Sequence, residues 1–232
     1  MENGILLVVF GEEYDTFAAS CMQYSKKYIK TPVCVLTNLK NPSEKWEDLT
    51  DISFKYFDLA QDKNRQIKTT MNEHTPFKNT LYLDCDCILQ KDGIEDIFDK
   101  IPENGLLLQV YSRVLLNRQI PGALYRKAFS IANICLPTVV YYGAFLGFKE
   151  NKDTDLFFKL WNKYWMVNGY GREMPSLSCA VKNSKIHVKE LSNNVFSWRI
   201  NKEATIQHEY GGFLKNLVDC KEFRSFKPFD KR

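Results

Sequence analysis

Apolar positions follow two different periods along this chain, and stretches of the two periods alternate. Gly4 to Phe10 is an unbroken apolar run, the pattern of a strand covered on both faces. Gly11-Glu12-Glu13 ends it, and Tyr14, Phe17, Ala18, Cys21, Ser25 and Tyr28 then recur at helical spacing. Pro32 to Thr37 predicts a second buried strand, closed by Asn38 and Pro42, and Ile52 to Leu59 alternates like a third. Asn64 to His74 predicts a helix with Arg65 and Lys68 on one face, followed by an apolar strand that runs into Asp84. Strand, helix and strand in this order require crossovers, hence an α/β fold with a mostly parallel central sheet flanked by helices.

The second half is less regular. It predicts a short helix over Asp92–Ile101, a strand over Gly105–Tyr111, and a mixed stretch over Leu115–Ile134 broken at Pro121-Gly122. Val139–Lys149 is apolar with Gly143 and Gly147 inside it, a strand with close backbone approaches. Asp153–Val167 is strongly amphipathic, Pro175–Asn183 predicts a helix with Pro in its first turn, and short strands are expected at 186–189 and 205–208. No repeat, low-complexity tract or linker divides the 232 residues, a length that suits one domain with a full core.

The strand end Leu83-Asp84-Cys85-Asp86-Cys87 carries the clearest chemistry. In an extended chain Asp84 and Asp86 share a face, and two carboxylates so close repel unless a cation lies between them. Such a pair at a strand end fits a divalent-metal clamp for a phosphorylated substrate. Asp153-Thr154-Asp155 has the same spacing but opens an amphipathic helix, where acids complement the helix dipole. Open α/β sheets bind ligands beyond the carboxyl ends of their strands, which draws in Phe10 and Gly11 at the end of the first strand and the cations Arg65 and Lys68.

The net charge of +4 is spread along the chain, so it suits a small anion and excludes a nucleic-acid footprint. Basic residues thicken only at the end, among Phe223, Phe226 and Phe229, a tail suited at most to weak docking on an anionic membrane surface. The seven cysteines form no disulfide framework, and Cys85 and Cys87 are expected to turn away from the carboxylates into the core. Reduced thiols, and a start that lacks a basic leader and reads as a buried first strand, suit a cytoplasmic protein.

A first strand ending at Phe10-Gly11, an Arg-x-x-Lys helix, the segment Leu81-Tyr82-Leu83-Asp84-Cys85-Asp86-Cys87-Ile88-Leu89, a glycine-containing strand and a late His resemble the GT-A fold glycosyltransferases. The glycogenin-like, retaining branch is the nearest match, and the resemblance runs from Ile5 to about Lys215. It implies one glycosyltransferase domain over residues 1–232: a nucleotide-binding half to about 111, a sugar and acceptor half over about 112–220, and a basic tail over 221–232. It implies Asp86 as a metal ligand, Asp84 as a ligand of the metal or of the donor ribose, and His208 as the third ligand. Imidazole with carboxylates suits Mn²⁺ better than Mg²⁺.

The donor implied is a nucleoside-diphosphate sugar, most often a UDP-sugar, with the acceptor hydroxyl on a glycan, lipid or protein. Phe10, Gly11, Arg65 and Lys68 would line the donor site. Lys215 would reach the diphosphate, although it falls one residue late from Gly211 in the His-x-x-Gly-x-x-Lys pattern. Gly143 would lie beside the sugar, with Tyr142 standing where the group has Asn. Glu173, in Gly171-Arg172-Glu173-Met174-Pro175-Ser176-Leu177, would lie near the acceptor and act as base if transfer inverts. Inversion or retention stays open. The Asp84/Asp86 motif is also similar to the first motif of haloacid-dehalogenase-type phosphatases, and a non-catalytic sugar- or nucleotide-binding protein of the same fold is the third reading. The acidic Gly11-Glu12-Glu13 argues against a nucleotidyltransferase, which wants a basic glycine-rich loop there.

Overall fold

A computed structural model of the chain describes residues 2–112, 129–130, 132–135, 137–169, 171–197 and 201–208. The elements in chain order are β1 (Asn3–Val9), α1 (Glu12–Ser25), β2 (Val33–Thr37), β3 (Ile52–Tyr56), α2 (Asn64–Thr69), β4 (Asn79–Leu83), β5 (Cys87–Leu89), α3 (Glu95–Phe98), β6 (Gly105–Leu108) and β7 (Val110–Ser112). There follow β8 (Val140–Tyr141), β9 (Phe145–Lys149), α4 (Lys152–Val167), α5 (Glu173–Ser184), β10 (His187–Glu190), β11 (Phe196–Ser197) and β12 (Ile206–His208). Seven strands form the central sheet in the order β10-β6-β9-β4-β1-β2-β3. Among its described strands, β9 alone runs against the rest.

The centre of the sheet is buried on both faces, β1 being apolar from Ile5 to Val9, while the edge strands β3 and β10 are largely exposed. Ile5, Leu7 and Val9 pack toward α1 and α3, among Phe17, Met22, Ile97 and Phe98. Leu6, Val8 and Phe10 pack the other way, among Ile67, Met71, Phe157, Trp161 and Leu177 from the layer of α2, α4 and α5. Gly11 follows β1 at φ 93°, a backbone that favours glycine, and an added Cβ would meet the Gln61 side chain. Asn38, just beyond β2, accepts from the Gly11 N–H at 2.8 Å and donates to the Leu59 carbonyl at 3.1 Å, tying together the carboxyl ends of the first three strands.

Four expectations change in detail. The helix expected to reach His74 stops at Thr69, because the Thr70 hydroxyl bonds the Gln66 carbonyl and its backbone leaves helical geometry. The strand expected over Gly105–Tyr111 is split at Gln109, whose buried side chain donates to Asn193 and to the Phe196 carbonyl. The strand expected over Val139–Lys149 is split by the turn Tyr142-Gly143-Ala144. The helix expected over Asp92–Ile101 keeps α-helical form only over Glu95–Phe98. Asp153 and Asp155 lie in the first turn of α4, which a capping box at Asn151 and Thr154 opens. Most of the mixed stretch over Leu115–Ile134, Lys215 and the basic tail lie outside the described residues. No described helix is long and apolar enough to cross a membrane.

Candidate active site

The site forms where β4 ends. Asp84 and Asp86 do not stand on an extended strand as the alternation argument supposed. The Cys87 N–H bonds the Asp84 carbonyl at 3.1 Å, closing a tight turn over residues 84–87, and the chain resumes as β5. A second small sheet, β11-β12-β5, then sets His208 in position: in the antiparallel β5–β12 pair His208 lies opposite Cys87. The His208 Nε2 is thereby 3.0 Å from the Asp86 Oδ1. The Tyr142 hydroxyl bonds the other ring nitrogen, Nδ1, at 3.0 Å, and its ring stands edge-on to the imidazole. Burial works against a charged His208, but the Asp86 carboxylate outweighs it and raises the pKa above the ordinary value.

Asp84 faces different partners. Its Oδ1 accepts from the Tyr82 hydroxyl and, at 2.8 Å, from Lys68 Nζ. Lys68 in turn donates at 2.8 Å to Glu173, the first residue of α5, and Arg65 Nε lies 3.4 Å from the second Glu173 oxygen. The Lys68 side chain is 7 % exposed, and burial would neutralise it; its two carboxylates prevail and raise its pKa, so it is a fixed cation. Burial pushes Glu173 toward neutrality, yet Lys68, its own backbone N–H and Arg65 hold it down to about 2.

The turn before β9 supplies the remaining wall. The Ala144 carbonyl accepts from the Asp84 N–H at 2.9 Å, which fastens the two turns together. A Cβ on Gly143 would come within 3.3 Å of the Glu173 Oε1, so glycine leaves room for the Lys68–Glu173 pair. Tyr14, in the first turn of α1, is near enough to feel Cys85, Arg65 and Asp86; burial first, then Cys85, Glu13 and Asp86, raises its pKa against the opposing pull of Arg65. The structure thus brings together Asp84, Asp86, His208, Arg65, Lys68, Glu173 and Gly143, while the described contacts of Gly11 are with Asn38 and Gln61.

Two expectations are corrected. Phe10 turns its ring into the core against Phe57 and is 1 % exposed, so its side chain is closed to a ligand. Cys87 does not turn away from the carboxylates: its Sγ lies with the Asp86 and His208 donor atoms, all within 4.8 Å of one another. Burial, then Asp86 and Asp84, raises the Cys85 and Cys87 thiols well above the ordinary range. Sequence reasoning missed Tyr82 and Tyr142, whose hydroxyls hold Asp84 and His208. Both stand in segments already singled out, but nothing local marks a tyrosine as a hydrogen-bond donor rather than core.

Asp86 and His208 stand in direct 3.0 Å contact, and a carboxylate with an imidazole is a donor set whose chemistry suits a divalent ion. Asp84, one turn away and bonded through one oxygen to Lys68 and Tyr82, stands beside that pair rather than within the group of three donors.

The fold is that of the GT-A glycosyltransferases. Two solved structures similar to this chain are of the galactosyltransferase LgtC, one in complex with donor and acceptor sugar analogues and one of an active-site mutant. Each has a TM-score of 0.56 and 11 % identity, over 88 % of this chain and 86 % of the other. No protein-family model and no curated protein matches the chain. At this identity the likeness is one of fold.

Proposed function

We propose that the protein is a metal-dependent glycosyltransferase that moves a sugar from a nucleoside-diphosphate sugar, a UDP-sugar foremost, to an acceptor hydroxyl on a glycan, lipid or protein. The observation that carries this reading is the meeting of the Asp84–Cys87 turn with His208 and the buried Lys68 at the carboxyl end of a parallel strand, the place where such sheets take ligands. Asp86 and His208, with Asp84 beside them, would hold a Mn²⁺ or Mg²⁺ ion, which when bound supplies charge for the leaving diphosphate. Lys68 and Arg65 add fixed positive charge to the same pocket, and Gly11, buried and bonded through its N–H to Asn38, belongs to this reading through the sequence resemblance. The Gly143 turn borders the sugar. Lys215 belongs to this reading through sequence alone.

Glu173 is assigned a different part from the base expected of it. A carboxylate held to about 2 takes a proton poorly near neutrality, so its part is to orient Lys68 and Arg65. The cysteines among the described residues are free thiols, in keeping with a cytoplasmic location.

The test is thermal unfolding of wild type and Asp86→Asn with UDP, GDP, CDP and dTDP, each with and without Mn²⁺. A ligand at a hundred times its dissociation constant adds about 2.7 kcal/mol of stability. A shift for one nucleotide that needs the metal and disappears in Asp86→Asn is expected. No shift with any nucleotide sinks this reading.

A further inference from the structure

We propose that Cys87 is a third ligand of the ion site, and that the site therefore binds thiophilic divalent ions, Zn²⁺, Co²⁺ and Cd²⁺, more tightly than Mn²⁺ or Mg²⁺. The inference rests on the reading that Asp86 and His208 hold an ion, and it adds a sulfur to that set. Cys87 opens β5 directly opposite His208, and directly opposed residues of an antiparallel pair project to the same side of the sheet. Its sulfur, the Asp86 carboxylate and the His208 imidazole each offer a donor atom, and the three lie within 4.8 Å of one another. An ion with bonds of about 2.0–2.3 Å holds its donors roughly 3.5 Å apart, so side-chain movements on the order of 1 Å complete the set.

The thiol is fully buried among core residues, but its polar engagement is weak. Its one described hydrogen bond is a 3.7 Å contact to the Ala144 carbonyl. On binding, the sulfur–metal bond forms as the S–H proton passes to the buffer, with no change of oxidation state. Hard Mg²⁺ and Mn²⁺ gain little from sulfur and leave the thiol protonated, whereas Zn²⁺, Co²⁺ and Cd²⁺ favour thiolate with imidazole. The same pocket thus holds two classes of ion in two ways, and the thiophilic class displaces the other.

Titration of the full-length, reduced protein with Co²⁺ reads this directly. The expected result is a near-ultraviolet sulfur-to-cobalt charge-transfer band in wild type, abolished by added Zn²⁺, absent in Cys87→Ser and Cys87→Ala, and kept in Cys85→Ser. Calorimetry should show Zn²⁺ affinity reduced roughly 10-fold or more in Cys87→Ser with Mn²⁺ affinity within about threefold of wild type. Co²⁺ binding with no such band, or with a band lost in Cys85→Ser instead, overturns the assignment of sulfur to Cys87 and leaves the carboxylate–imidazole site standing. No binding of Co²⁺, Zn²⁺ or Mn²⁺ to wild type overturns the ion reading and this inference together. Where Cys87→Ser folds poorly, retention of the band in Cys85→Ser still assigns the sulfur to Cys87, and its loss there overturns the assignment.

Discussion

At the scale of single residues, the site is governed by one buried cation. Lys68 joins Asp84 to Glu173, residues 16 and 105 positions away from it in sequence, through 2.8 Å contacts to each. Removing it leaves two carboxylates facing each other in a half-closed pocket. Lys68→Met is expected to lose about 3 kcal/mol of stability in urea denaturation, and to lose the nucleotide-induced thermal shift as well. Tyr142→Phe makes the opposite separation. It deletes one hydroxyl, so stability should change by only about 1 kcal/mol. His208 loses its orienting partner, and Mn²⁺ affinity measured by calorimetry should fall roughly 10-fold.

Glu173 sets an acid limit. Its pKa is held to about 2 in the folded protein against 4.5 ordinarily, so the unfolded chain takes up its proton first as pH falls. The stabilisation is complete above the ordinary value and is lost between about pH 4.5 and pH 2, on the order of 3 kcal/mol at full loss. Denaturant midpoints over that range should fall more steeply for wild type than for Glu173→Gln. Equal slopes would show that Glu173 is not ion-paired as described.

At the scale of elements, α4 and α5 act as a pair. Trp161 and Trp165 of α4 donate to the Glu173 and Gly171 carbonyls at 3.2 and 2.9 Å, which fixes the start of α5 and with it the Glu173 side chain. The α4 cap is remote from this contact. Asn151→Ala should cost about 1 kcal/mol in thermal or chemical unfolding while leaving nucleotide binding unchanged.

This scale also explains what was legible in advance. β1, β2, β4 and α4 were read closely because a fully apolar run and a single-faced stripe each state their own environment. The Asp84–Asp86 motif and His208 were found as residue types at telling positions. The turn that carries the carboxylates was not, because alternation presumes an extended chain and a hydrogen bond across four residues abolishes it. The direction of the Phe10 ring was illegible for a related reason: a residue at a strand's end can face core or crevice, and its packing with Phe57 and the surrounding core decides which. The Lys68–Glu173 pair, the Tyr82 and Tyr142 hydroxyls and the Cys87 sulfur are products of tertiary contact, with no local sign.

At the scale of the whole molecule, the strand order governs how the chain can assemble. β9 sits between β4 and β6, pairing Leu83 with Phe145 and Leu107 with Gly147. β6 has as its neighbours only β9 and β10, both supplied by later sequence. A chain that ends at Ser112 would expose one edge of β4 and both edges of β6, with the helices α4 and α5 missing from one face. Such a fragment should show no cooperative thermal transition by circular dichroism and should be cut quickly by proteases. The pairings that close the sheet are long-range, which makes folding of the intact protein slow for its size. On the ribosome, the strand that joins β4 to β6 emerges only after nearly two-thirds of the chain has been made, so the first half must wait for it, and chaperones have their longest access to this protein during that interval.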